Sequence, residues 1–125
     1  MRKPTILADK NAFPICKSYE RTFYHHEITL KTEGSRSGLL KAAGDAPCDL
    51  VVLAALKEDD RNILETAKRI RGVNPNIPLL LVTHHSSEDL AIAALKAGIN
   101  DYFRYPLDRK EFENSLLSFL VPSLS

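Results

Sequence analysis

The sequence predicts an α/β domain: a doubly wound, five-stranded parallel sheet with helices on both faces. Three observations predict it. Strand-like and helix-like segments alternate along the whole chain. The segments at 50–54 and 79–82 are continuously apolar, as strands covered on both faces are, rather than alternating. All seven prolines (Pro4, Pro14, Pro47, Pro75, Pro78, Pro106, Pro122) stand where an element starts or stops. With 125 residues, 44% of them hydrophobic and 26% charged, the chain suits one domain and is too apolar for a disordered one.

The elements follow in order. Residues 5–8 form a short apolar strand. Phe13, Cys16, Tyr19 and Phe23 recur at helical spacing, which predicts one helix with Pro14 in its first turn and a cap at or beside Asn11. Residues 28–32 are β-branched and alternating, a strand; residues 35–43 make a helix weakened by Gly38. A third strand covers 49–54, and a helix over 61–71 carries Ile63, Leu64, Ala67 and Ile70 on one face. The second half repeats the pattern more strongly. A strand at 77–83 precedes a helix capped by Ser86 or Ser87, with Leu90, Ala91, Ala94 and Leu95 inward and Gly98 as its stop. A short strand at 101–104 leads to Asp108 and Glu111, a capping-box-like start for a helix bearing Phe112, Leu116, Phe119 and Leu120. Residues 121–125 read as a frayed end or the start of a linker.

Seventeen basic against sixteen acidic residues leave a net charge of +1, which argues against a nucleic-acid binder working through a basic field. The longest apolar runs, 50–56 and 77–82, fall far short of the ~18 residues that would span a bilayer. The apolar stretch near the N-terminus ends at Asp9, too short for a signal-peptide core. Cys16 and Cys48 make neither a CxxC nor a zinc pattern, so reduced thiols are expected. The expectation is a cytoplasmic module that touches neither membrane nor nucleic acid directly. In an open parallel sheet the site lies beyond the carboxyl ends of the strands. That selects Asp9-Lys10, Ala54-Ala55, Thr83-His84-His85 and Arg104-Tyr105-Pro106. None of these carries a GxGxxG or GxxxxGK[ST] phosphate loop, and none presents a Ser or Cys in a GxSxG setting.

Residues 48–56 (CDLVVLAAL) resemble the "PDLVLLD" strand of response-regulator receiver domains. Residues 77–83 (IPLLLVT) and 94–108 (ALKAGINDYFRYPLD) resemble that family's "PIIxLTA" and "ALxAGAxDYLxKPFD". The resemblance covers nearly the whole chain and implies the receiver, flavodoxin-like three-layer sandwich that the periodicity predicts independently. It also implies that residues 1–125 are one receiver-like unit, the N-terminal module of a longer signalling protein in a two-component system.

Carried over residue by residue, the resemblance places Ala54 at the phosphoacceptor position, where no nucleophile remains. Asp9 falls at the first acidic position and Lys10 at the second. Thr83 keeps the hydroxyl position, Tyr102 the aromatic switch position, and Tyr105 replaces the phosphoryl-pairing lysine ahead of Pro106. The family's four charged groups favour a divalent cation; here Asp9 and Lys10 cancel, and Mg²⁺ needs carboxylate oxygens. No cofactor is expected, Mg²⁺ binding is expected to be weak or absent, and the chain is not expected to be an enzyme.

Other residues are weighed against plainer roles. Asp49 starts a strand at the wrong end to be a displaced acceptor. Asp59 and Asp60 read as a solvated loop, His84-His85 lacks metal-ligand spacing, and His25-His26 suits a helix end. Cys16 and Cys48 read as inert thiols, while Lys10 could set its ammonium into a vacated cation site. The expected function is a pseudo-receiver that signals by phosphorylation-independent contact with a protein partner or a second copy. Its surface would be the last two helices (residues 88–97 and 109–120) and the strand between them, with Asn100 and Arg104 as polar rim. The alternatives are a phosphorelay receiver with an unconventional acidic acceptor, and a small ligand binder using the empty pocket.

Overall fold

The computed structural model describes residues 3–45, 47–56, 62–84 and 87–120. Its elements run β1 (Thr5–Asp9), α1 (Phe13–Lys17), α2 (Glu20–His25), β2 (Thr29–Glu33), α3 (Arg36–Asp45), β3 (Leu50–Ala55), α4 (Asn62–Val73), β4 (Leu79–Thr83), α5 (Glu88–Lys96), β5 (Asp101–Arg104) and α6 (Arg109–Leu120). All five strands are parallel, in the order β2-β1-β3-β4-β5. The doubly wound sheet is as expected.

Every position of β3 and β4 is buried, which is why these strands read as unbroken apolar runs. Their side chains alternate between two cores. Ile6, Ala8, Leu50, Val52, Ala54, Leu80, Val82 and Phe103 face Cys16, Tyr19, Phe23, Phe112 and Leu116 of the α1–α2–α6 layer. Leu7, Val51, Leu53, Ala55, Leu79 and Leu81 face Leu39, Ala67, Ile70, Ala94 and Ala97 of the α3–α4–α5 layer. A leucine or valine fully withdrawn from water contributes about 1.5–3 kcal/mol, so these central strands carry the fold and hold the loops at their carboxyl ends in place.

Three local expectations are corrected. The single first helix is two, because Tyr19 leaves the helical path after Ser18, the C-cap of the first. The Ser18 hydroxyl donates to the Ile15 carbonyl at 2.6 Å, and Tyr19 has φ −101°, ψ 15°. No side chain at or beside Asn11 caps α1; its N-cap is Ala12, and the Ala12 N–H donates instead to Asp9 Oδ1 at 2.7 Å. Leu95, expected inward, is 70% exposed, since Ala94 and Ala97 centre the buried stripe and place position 95 on its flank. Asn100, exposed as a rim residue must be, also closes the start of the β4–β5 ladder: its N–H donates to Leu79 O and its Oδ1 accepts from Leu79 N, each at 2.8 Å.

Ser87 caps α5, accepting from Leu90 N at 3.1 Å, and Asp108 caps α6, accepting from Glu111 N at 2.9 Å. Gly98 follows α5 with φ 93°, the left-handed stop expected of it. Arg61, Ser86 and residues 121–125 lie outside the described residues. No described helix is long and apolar enough to cross a membrane.

Candidate functional site

The strand order reverses direction between β1 and β3, so the crevice lies over their carboxyl ends. Ala54, next to last in β3, pairs with Val82 of β4, and Ala55 pairs with Thr83. Thr83 in turn pairs with Arg104 of β5. The register therefore brings Asp9, Ala54, Thr83 and Tyr105 to one end of the sheet, as the sequence expects.

Each position has its own chemistry. Ala54 is 1% exposed, a methyl group packed in the α1–α2–α6 core and lacking any atom that could accept a phosphoryl group. Asp9 is half-buried and spends one carboxylate oxygen on the Ala12 N–H, so it builds the turn into α1. Lys10 is exposed. With Asp9 it lines a cavity of about 110 Å³, together with Asn11, Glu33, Ser35 and Arg36. Two carboxylates and two cations meet there and their charges cancel. Glu33 and Arg36 are members that sequence reading missed, and the β1–β2 register could have found Glu33, because it sets Asp9 beside it.

Thr83 is 2% exposed and its carbonyl accepts from Tyr105 N at 2.7 Å, which ties the two strand ends together. Tyr105 precedes Pro106 through a cis peptide bond, and its ring meets His84 at 5.6 Å between centroids. This aromatic pair was not foreseen, because only the β4–β5 register brings the two residues together. Beside it, a groove of about 320 Å³ runs between Tyr105, Pro106 and Leu107 on one side and Ile15, Ser18 and Tyr19 on the other. Arg109 borders it, with its guanidinium 4.5 Å from the centre of the Tyr19 ring. Burial raises the Tyr19 phenol above its usual value of 10.0, against the opposing pull of Arg109.

Tyr102 is half-buried on the opposite side of the sheet from Ala54, packed on the core that contains Ala94 and Ala97. Asp49 sits at the other end of the strands, where its Oδ2 accepts from Thr5 N at 2.7 Å. Cys16 is fully buried and its thiol is pushed up to about 12, chiefly by burial and also by Asp9. His25 closes α2 and its ring stands edge-on to His26. Asp59, Asp60 and His85 lie outside the described residues. A wider groove of about 670 Å³ opens at the far end of the sheet, by Lys3, Arg21 and Tyr24, away from these strand ends.

Mg²⁺ needs several oxygen ligands in octahedral array, and among the described residues no cluster of three or more His, Cys, Asp or Glu side chains could hold a metal.

No protein-family model matches the chain. It is 39% identical over 71 residues to the transcriptional regulatory protein ZraR of Klebsiella oxytoca, covering 57% of this chain and 16% of that protein. It is 28% identical over 119 residues to the photosynthetic apparatus regulatory protein RegA of Rhodobacter capsulatus, covering 94% of this chain and 62% of that one. The chain thus spans under two thirds of the length of either relative. In structure it is similar to a two-component response regulator from Clostridium difficile, with TM-score 0.79 and 19% identity over 98% of this chain and 100% of that one. A CheY-like receiver domain protein from Methanospirillum hungatei JF-1 follows at TM-score 0.78 and 16% identity, covering 95% and 94%.

Proposed function

The chain belongs to the receiver domains of two-component response regulators, and we propose that within this family it is a pseudo-receiver, a module that signals without accepting a phosphoryl group. Receiver domains are signalling modules that act with other proteins. The observation that carries the finer reading is Ala54: at the position the resemblance assigns to the acceptor stands a buried methyl group. An alanine cannot attack a phosphodonor. The exposed Lys10 where a second acid would stand, and Tyr105 in place of the lysine, support the same reading.

Its working surface is the face made by α5, β5 and α6. Ile92 and Leu95 are 45% and 70% exposed on α5, and Tyr102 is half-buried on β5, packed on the cluster that contains Ala94. With Thr83 and Tyr102 present and no group at position 54 to take charge, nothing favours a second arrangement of the switch residues. The face therefore meets a partner protein or a second copy constitutively. The unit is one receiver-like module of a longer cytoplasmic signalling protein and contacts neither nucleic acid nor membrane itself.

The test is incubation with acetyl phosphate and Mg²⁺ followed by intact-mass measurement. The expected result is an unchanged mass. A gain of one phosphoryl group mapping to Asp9, Asp59 or Asp60 overturns the proposal in favour of a phosphorelay receiver with an unconventional acceptor.

A further inference from the structure

The two edges of the sheet are finished differently. At the β5 edge, Tyr105 N donates to Thr83 O, which turns the N–H of Tyr102 outward. That N–H is taken by Asp101 Oδ1 at 3.0 Å, and Asp101 Oδ2 accepts from Ser115 of α6 at 2.9 Å. The β5 edge is thus closed by a side chain. At the other edge, β2 pairs only with β1. Thr29 N donates to Pro4 O at 2.8 Å, so the backbone groups of Thr29, Lys31 and Glu33 point toward β1 and those of Leu30 and Thr32 point outward. Among the described residues no strand or loop backbone bonds to that outward row. Lys31, Thr32 and Glu33 are all exposed. Gly34 continues the row, and nothing lies within 4 Å of where its Cβ would be. Beside the edge, a groove of about 350 Å³ lined by Phe13, Phe23, Tyr24, Ile28 and Leu30 offers apolar surface to cover.

We propose that β2 is a self-association edge, at which a second copy of this chain adds its own β2 antiparallel about a two-fold axis at Thr32. The residues select that register. Centred on Lys31, the two ammonium groups would face each other. Centred on Leu30, the ladder would call on Ile28, whose N–H is already given to Phe23 O at 2.8 Å. Centred on Thr32, the two Thr32 residues exchange both backbone bonds, and Leu30 meets the open Gly34. Each Lys31 then stands opposite Glu33 of the second copy, in the pairs where side chains approach most closely. A lone lysine on an edge strand keeps other strands away. With Glu33 two residues on and on the same face, it instead admits the register that pairs opposite charges. The α5–β5–α6 face lies at the opposite side of the sheet, so this pairing leaves it free on both copies.

The experiment follows the mass of the 125-residue chain by sedimentation across a concentration series. It compares the wild type, Lys31→Glu, Glu33→Lys and an equal mixture of the two variants. Both positions are exposed, so both variants fold. The expected result is a wild-type monomer–dimer equilibrium that weakens about tenfold in either variant alone, where like charges face each other at both crossings. In the mixture one copy carries two acids and the other two lysines, so heterodimers should restore wild-type association. A general loss of stability would not be repaired by mixing. A wild type that stays monomeric, a dimer untouched by both substitutions, or no recovery in the mixture overturns the proposal. Leu95→Asp should leave the dimer intact. If it abolishes the dimer while the β2 variants do not, self-association belongs to the α5–β5–α6 face and the edge pairing is wrong.

Discussion

Single residues at the strand ends serve the fold before they serve any chemistry. Asp9 has one of its carboxylate oxygens held by the Ala12 N–H. Cys16 is fixed more firmly still. Its thiol is raised from 9.0 to about 12, first by burial and then by the Asp9 carboxylate. The folded state therefore holds the Cys16 proton where the unfolded chain releases it. That contribution to stability is complete below about pH 9 and falls as pH rises toward about 12. Urea midpoints should accordingly drop between pH 9 and pH 11 in the wild type. They should drop less in Cys16→Ala, which has no thiol to titrate; equal slopes would show that the buried thiol does not carry the effect.

At the scale of elements, terminations decide more than propensities do. The turn at Ser18 and Tyr19 divides one apolar stripe between α1 and α2, which still deliver Cys16, Tyr19 and Phe23 to the same core. After α2 the chain reverses through a Schellman-type end, with Ile28 N donating to Phe23 O at 2.8 Å and Glu27 N to Tyr24 O at 3.2 Å. The left-handed residue of that turn is Glu27, with φ 56°. An L-residue there costs about 1–2 kcal/mol, and glycine removes the strain at some cost in chain entropy. Glu27→Gly should raise the thermal midpoint by a few degrees, measured by calorimetry. A lowered midpoint would mean that the Glu27 carboxylate holds the turn through its own contacts.

For the whole molecule, charge at the pocket is the deciding quantity. Asp9 and Glu33 are balanced by Lys10 and Arg36 around a cavity of about 110 Å³, and Ala54, buried in the α1–α2–α6 core, is neutral. Millimolar Mg²⁺ should therefore leave the melting temperature of the wild type unchanged. The double variant Lys10→Asp with Ala54→Asp places carboxylates at both positions, and its midpoint should rise with Mg²⁺. A ligand at 100 times its Kd stabilises the folded state by about 2.7 kcal/mol, which amounts to several degrees in a domain of this size. The comparison is made within each variant, with and without Mg²⁺ at matched ionic strength. This removes the cost of placing a charge at the buried position 54. A Mg²⁺ response in the wild type, or none in the double variant, would show that the pocket's charge is not what governs binding.

Most of the architecture was readable in order along the chain. The continuous apolar runs in β3 and β4 reveal two covered faces, and Gly98, Ser87 and Asp108 mark helix ends because their local chemistry acts within a few residues. The identities at the strand ends were readable too, since the motif spacing carries Ala54, Thr83 and Tyr105 to their places without any contact being known. What required the tertiary structure is whatever depends on partners distant in sequence. Periodicity alone put Leu95 inside, while the packing of α5 on Ala94 and Ala97 turned it out. Glu33 enters the pocket through the β1–β2 register, and the His84–Tyr105 contact through β4–β5. Arg71 reads in the sequence as one more cation at the end of a helix. Its acceptors at Ile77, Gly98 and Asn100 are up to 29 residues away. Local pattern determines where backbone turns begin and end, because propensity and capping are short-ranged; which side chains meet is decided only when the sheet register sets distant segments side by side.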